Sequence, residues 1–356
     1  MSKTNILPDL LLRSRNRRRN AKLLRIDSPD GIAEYRFVDI GGIKQWVTIR
    51  GEDRRNPVLL FVHGGPASPY SVFSPLLREW EKHFTLVQWD QRGAGKTFRR
   101  SGKTAGGSIT LEQLARDGIE LSEYLLERLG KRKIILIGSS VGSLIAMMMV
   151  RSRPDLYLAY VGTDQNAPDP GFDWYGQALA ALRAAGIAKG IRLLERMGPD
   201  PARWKREDYD RLNQHLVRAI TGVPNMIMDL MLPSMLASPD HTIGDLVAIF
   251  RGMTHSLDHL FDELMTFDFS RIGTAFDVPF FIFQGDTDLF TPFGAARSFF
   301  DRIEAPRKSF TVIRNAGHLA CFARPGQFLE ELVGKVLPLA GQPSLPADAG
   351  RGGAVV

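Results

Sequence analysis

IILIGSSVGS, residues 134–143, sets two adjacent serines between glycines immediately after an apolar run. Four apolar residues followed by glycine read as a buried strand, and SLIAMMMV (143–150) reads as an apolar helix. G-x-S-x-G between a strand and a helix is a sharp turn that lifts a serine hydroxyl above the end of a sheet. Its flanking positions must be small, because strand and helix backbones approach closely there. Only the frame Gly138, Ser140, Gly142 satisfies this; a frame on Ser139 or Ser143 would need glycine where Ile137 or Val141 stands. Ser140 is therefore the candidate nucleophile.

Working outward, PVLLFVH (57–63), FTLVQWD (84–90), LYLAYVG (156–162), VPFFIFQG (278–285) and SFTVIR (309–314) are short apolar runs alternating with segments of helical patterning. Buried parallel strands read this way, so the expected class is α/β with a mostly parallel central sheet flanked by helices. EYRFVDI and IKQWVTIR about Gly41-Gly42 predict a hairpin. Thr110 and Gln113 form a capping-box pattern ahead of leucines at helical spacing, and Gly130 ends that helix. Between 164 and 271 the chain is rich in Ala, Leu, Met and Arg, is interrupted by seven prolines and has no strand pattern. The expected organisation is a basic flexible arm over 1–30, a core in two parts (31–163 and 272–340), a helical cap insertion over 164–271, and a flexible tail over 341–356.

A serine hydroxyl is a weak nucleophile and needs a base and a residue to orient that base. On a sheet carrying this elbow they come later, acid before histidine, each in a loop after a strand. FIFQGDTDLFTP supplies Asp286 and Asp288, and VIRNAGHLA supplies His318. Two N–H groups are needed to hold a developing oxyanion. One belongs to the residue after the nucleophile, Val141, and the glycine-rich turn FVHGGPASP offers the other at Gly65. His63 in that turn reads as a structural hydrogen-bonding residue. No cluster has the spacing of a zinc site, so neither metal nor other cofactor is expected.

HGGPA (63–67), QWDQRGAGKT (88–97) and GSSVGS (138–143) resemble the H-G-G-P-G, D-Q-R-G-x-G-x-S and G-G-S-W-G-S signatures of the proline iminopeptidase family of α/β-hydrolases. The resemblance covers roughly residues 35–335 and implies the α/β-hydrolase fold with an inserted helical cap. Carried over by position, it implies Ser140 as nucleophile and His318 as base. Its G-x-x-D pattern with a proline four residues on, matched by Gly285, Asp288 and Pro292, implies Asp288 rather than Asp286 as the acid. Asp90 and Arg92 look like a structural ion pair beneath the site. Two departures alter the pocket wall: Ala67 replaces a glycine, and Val141 replaces tryptophan. The family also uses cap carboxylates to hold the substrate ammonium. Met253 falls at one such glutamate position, leaving Asp258, Asp262 and Glu263 nearby as substitute substrate-binding candidates.

Composition sets the remaining bounds. At 44% hydrophobic and 24% charged residues, the chain has no apolar run near the roughly 18 residues of a membrane helix. Seven of the 46 basic residues fall between Arg13 and Arg25 with no acidic residue among them, leaving 39 against 39 acidic residues elsewhere. The net charge of +7 thus resides in one short run, expected to be a solvated arm rather than a nucleic-acid or membrane element. The single Cys321 and the absence of a secretory h-region make the expected location cytoplasmic. The expected partner is a small peptide, amide or ester. Release of an N-terminal residue, proline preferred, is the activity the resemblance implies. A carboxylesterase or amidase with a neutral acyl pocket, and a non-catalytic ligand-binding protein on the same fold, are the alternatives.

Overall fold

The computed structural model describes residues 10–103, 107–171 and 173–341. Eight strands form one sheet: β1 (Ile32–Ile40), β2 (Ile43–Gly51), β3 (Val58–Val62), β4 (Thr85–Asp90), β5 (Ile134–Ser140), β6 (Tyr157–Gln165), β7 (Phe280–Gly285) and β8 (Lys308–Ile313). Their spatial order is β1-β2-β4-β3-β5-β6-β7-β8. The β1–β2 and β2–β4 pairs are antiparallel, and every pair from β4 onward is parallel. Ile40 opposes Ile43 across the Gly41-Gly42 turn, whose φ values of 56° and 76° suit glycine at both central positions.

The helices are α1 (Arg13–Leu23), α2 (Gly95–Ser101), α3 (Leu111–Leu129), α4 (Val141–Ser152), α5 (Asp173–Ala184), α6 (Ala188–Met197), α7 (Arg206–Ala219), α8 (Leu232–Ala237), α9 (Ile243–Met265), α10 (Phe293–Arg302), α11 (Ala320–Ala323) and α12 (Pro325–Glu331). Both faces of the sheet are covered, and alternate residues of β3 show it. Val58, Leu60 and Val62 join the core beneath α3 and α4, while Leu59 and Phe61 join the core on the other face with Phe73, Trp80 and Phe322. Strands buried on both faces lose the polar alternation of half-exposed ones, which is why they read as continuous apolar runs. Helices α5 to α7 pack on a small core of their own, built on Leu182, Leu194, Leu212 and Leu216.

Two expectations change. Residues 13–23 are not a mobile arm. They form α1, whose Arg13, Arg17 and Asn20 side chains donate to the carbonyls of His241, Ser238, Pro239 and Ala237 at the α8–α9 connection. Asp164 does not begin the insertion, because β6 continues to Gln165 and carries Asp164 as its penultimate residue. The helical patterning expected between β3 and β4 is met by a 3-10 helix over 70–82, with Pro75 inside it. The first nine residues of the expected arm, and residues 342–356 of the expected tail, lie outside the described residues.

Candidate active site

Parallel strands bring their carboxyl ends to one edge, where the loops after them converge. Ser140 ends β5 and caps α4 with φ 53° and ψ −128°, a sparsely populated conformation that marks a residue over-determined by its surroundings. The two flanking glycines are needed for space rather than for φ. A Cβ on Gly142 would overlap the Val62 carbonyl oxygen and lie 2.6 Å from that of His63, and one on Gly138 would lie 2.8 Å from Ala146 Cβ. Gly64 passes directly over the serine: a Cβ there would stand 2.7 Å from Ser140 Cβ and 3.3 Å from its Oγ. Gly65 follows with φ 117°, close enough to the Ser68 amide that a side chain would collide with it. The Val141 N–H opens the first turn of α4, where helix N–H groups lack internal partners.

His318 and Asp288 meet in the loops after β8 and β7. The His318 Nδ1 lies 2.9 Å from Asp288 Oδ2 and 3.1 Å from Oδ1. Asp288 is held by N–H groups of Phe290 and Thr291 and by the Thr291 hydroxyl. Asp286 is not at the imidazole: it accepts from the Asn315 and Ala316 amides and staples the histidine loop. Phe290 packs its ring 5.3 Å from that of His318. Burial alone would lower the His318 pKa, but the negative charges of Asp288 and Asp164 and the hydrogen bond to Asp288 hold it up to about 9. Burial opposes the Asp288 charge, and the imidazolium outweighs it, keeping Asp288 below its ordinary value.

Asp164 is the residue sequence reasoning missed. It is fully buried, its φ is 49°, and ligand atoms of Asp164, Asp288 and His318 all lie within 4.8 Å of one another. Its Oδ1 accepts the Ala320 N–H at 3.1 Å, and its Oδ2 accepts the Ser139 hydroxyl at 2.7 Å. The Ser139 Oγ lies 2.7 Å from the Tyr70 hydroxyl, which accepts the Gly64 N–H at 3.3 Å. With Ser139 donating to Asp164, the Tyr70 hydroxyl donates to Ser139, so donors run in one sense from the glycine-rich turn to the carboxylate. Ser139 is thus a hydrogen-bonding link and not merely a small residue in a tight turn. Burial raises the Asp164 pKa, the His318 charge opposes that rise, and Asp288 adds to it. Three such ligating groups could in principle hold a cation. Here the carboxylate oxygens are already occupied by N–H and O–H donors and Nδ1 is engaged by Asp288, so the donor set is satisfied by the protein itself.

His63 holds its turn in place. Its Nε2 accepts the Gln91 N–H, which assigns the proton to Nδ1 facing the Gly64 carbonyl, and burial lowers its pKa to about 4. The expected Asp90–Arg92 ion pair does not form. Arg92 makes a bidentate pair with Asp117 at 2.9 and 3.1 Å and also donates to the Gly41 carbonyl. Asp90 accepts from Ser71 Oγ and the Lys96 amide, and burial pushes its pKa up to about 7. The physical reason is that β4 ends at Asp90, and the turn after it directs Arg92 toward α3.

None of the cap candidates is a hydrogen-bond or ion-pair partner of His318 or Asp288. Met253 packs on the core shared with Tyr70 and Phe322. Asp258 pairs with Arg206 at 3.3 Å, Asp262 is exposed, and Glu263 accepts the Leu111 amide at the start of α3 and faces Arg271.

Comparison with known proteins agrees with this architecture. The profile described as "Alpha/beta hydrolase family" matches residues 59–331. The chain is 30% identical over 314 residues to the Bacillus subtilis (strain 168) protein named "Probable aminopeptidase YbaC", covering 86% of this chain and 97% of that one. It is 30% identical over 135 residues to a 2-(acetamidomethylene)succinate hydrolase of Mesorhizobium japonicum, covering 36% of this chain and 42% of that one. Among solved structures, a proline iminopeptidase-related protein of Thermus thermophilus superposes with TM-score 0.56 at 21% identity, over 86% of this chain and 99% of that one. At these structural identities only the fold is shared. The profile spans most of the chain, from β3 to β8 with the elbow between them, so the chain belongs to the alpha/beta hydrolase family.

Proposed function

We propose that the protein is a serine hydrolase acting through Ser140, His318 and Asp288 by way of an acyl-enzyme. The observation that carries the reading is the 2.9 Å His318–Asp288 pair on the strand-end loops that follow a serine held at φ 53° in an elbow. Asp288 occupies Nδ1 and leaves Nε2 to take the Ser140 proton as the hydroxyl attacks a carbonyl. The Gly65 and Val141 amides hold the oxyanion that forms. His318 then delivers the proton to the leaving group, and water hydrolyses the acyl-enzyme with His318 again acting as base. The carboxylate of Asp288 stabilises the imidazolium throughout.

The leading activity is release of an N-terminal residue from a peptide or amide. It is supported by the family signatures and by the relative named as an aminopeptidase. A second reading, a carboxylesterase or amidase on small neutral acyl groups, is favoured by a specific observation: Asp258 and Glu263 are engaged elsewhere. An ammonium moved out of water needs a carboxylate partner, whereas a neutral acyl group needs only an apolar wall. Hydrolysis rates of a proline arylamide, its N-acylated analogue and a p-nitrophenyl ester separate the two. The aminopeptidase reading expects the free amine to be turned over fastest among the amides, and faster turnover of the blocked amide contradicts it.

A further inference from the structure

We infer that α1 and the outer face of α9 form a docking surface for a bilayer containing anionic phospholipid. The helix α1 divides its charge between two faces. Arg13, Arg17 and Asn20, at helical spacing, point into the protein and are consumed by backbone carbonyls. Arg15, Arg18, Arg19 and Lys22, at spacing i, i+3, i+4, i+7, lie on the other side, exposed. Among the described residues these four make no ion pair, and no acidic side chain stands in α1. Six of the seven basic residues that make up the net charge of +7 stand in α1, so the charge is concentrated on this element.

Most of the exposed large apolar side chains stand in or beside these two helices. Nine large ones are exposed among the described residues, and four of them are Leu10, Leu11, Leu12 and Leu23 in and around α1. Leu11, 84% exposed, continues the Arg15–Arg18–Lys22 stripe by one turn. Three more are Ile243, Val247 and Phe250, each at least half exposed, and at spacing i, i+4, i+7 they make one stripe along α9. The two helices adjoin: Arg13 of α1 bonds to the carbonyl of His241, two residues ahead of Ile243.

Cations beside exposed Leu, Ile and Phe suit the interface of an anionic membrane, where charge meets headgroups and apolar side chains enter the acyl boundary. A nucleic acid would use the cations and leave the α9 stripe in water. A second copy of the chain would set two cationic helices against each other. No helix among the described residues is long and apolar enough to cross a membrane, so the contact is one of surface.

Flotation of the full-length protein with phosphatidylcholine vesicles, with and without phosphatidylglycerol, tests this. Binding is expected only with phosphatidylglycerol, weakening as salt is raised. Arg15→Gln, Arg18→Gln, Arg19→Gln and Lys22→Gln together should lower it by roughly tenfold or more. Ile243→Ser, Val247→Ser and Phe250→Ser together should lower the part that survives high salt. Unchanged melting temperature and unchanged hydrolysis of a soluble ester identify the variants as folded. Equal binding to both vesicle types, no binding, charge variants that float like wild type, or retention on duplex DNA in place of vesicles would overturn the inference. So would dimerisation that is lost in the α9 variants.

Discussion

The Ser139 hydroxyl donates a 2.7 Å hydrogen bond to Asp164, a carboxylate whose oxygen lies within 4.8 Å of the His318 and Asp288 ligand atoms. One of the two adjacent serines is thereby tied to the electrostatics of the histidine, while its neighbour holds the elbow.

This relationship sets the pH dependence of catalysis. An imidazolium cannot accept a proton, so activity rises as pH climbs through the His318 pKa. With that value held up to about 9 rather than 6.5, the rising limb of kcat/KM in wild type is expected in the alkaline range. Asp164→Asn removes one of the two negative charges that raise it and should move the limb to lower pH. The asparagine oxygen can still accept from Ser139 or Ala320. A limb at the same pH in both proteins would show that Asp164 does not act on His318.

Ser139→Ala should destabilise the protein by about 1–3 kcal/mol, since it leaves Tyr70 and Asp164 each short of a buried partner. Urea unfolding measures it. An unchanged midpoint would mean that Ser139 is only a small residue in the turn.

Gly142→Ala should be far worse than its one added methyl suggests. The new Cβ would collide with the carbonyls of Val62 and His63, backbone that cannot retreat without moving β3. A loss of about 3 kcal/mol or more is expected, read as a fall in melting temperature, with activity lost in parallel. A stable Gly142→Ala protein would contradict the described elbow.

Arg92→Met alone strands the buried Asp117 carboxylate and should cost about 3–5 kcal/mol. Adding Asp117→Leu should recover most of it. If the double variant is no better than the single, the pair is not the unit it forms in the structure.

How much of this is legible in the sequence depends on whether the information is local. The hairpin about Gly41-Gly42 and the helix from Thr110 to Gly130 are written in adjacent residues, and they stand where the sequence puts them. Even there the capping box is half made: Thr110 accepts the Gln113 amide, but the Gln113 side chain turns to Asp117. Arg92 finds Asp117 25 positions away, a choice no motif encodes. Asp164 has meaning only because β6 lies beside β5, and GTDQN carries no recognisable signal. The helix α1 escapes a reading based on hydrophobic periodicity because its docked face is polar, made of arginines and an asparagine that seek carbonyl oxygens.

The central claim is that Ser140 is a nucleophile activated by His318 and Asp288. A fluorophosphonate probe tests it most directly, because it phosphonylates only an activated serine hydroxyl. Wild type is expected to label with a single adduct at Ser140. Ser140→Ala is expected to lose all labelling while keeping its melting temperature, and His318→Ala to slow labelling by on the order of a thousandfold or more. Labelling that persists in Ser140→Ala, or a folded wild type that never labels, would contradict the account.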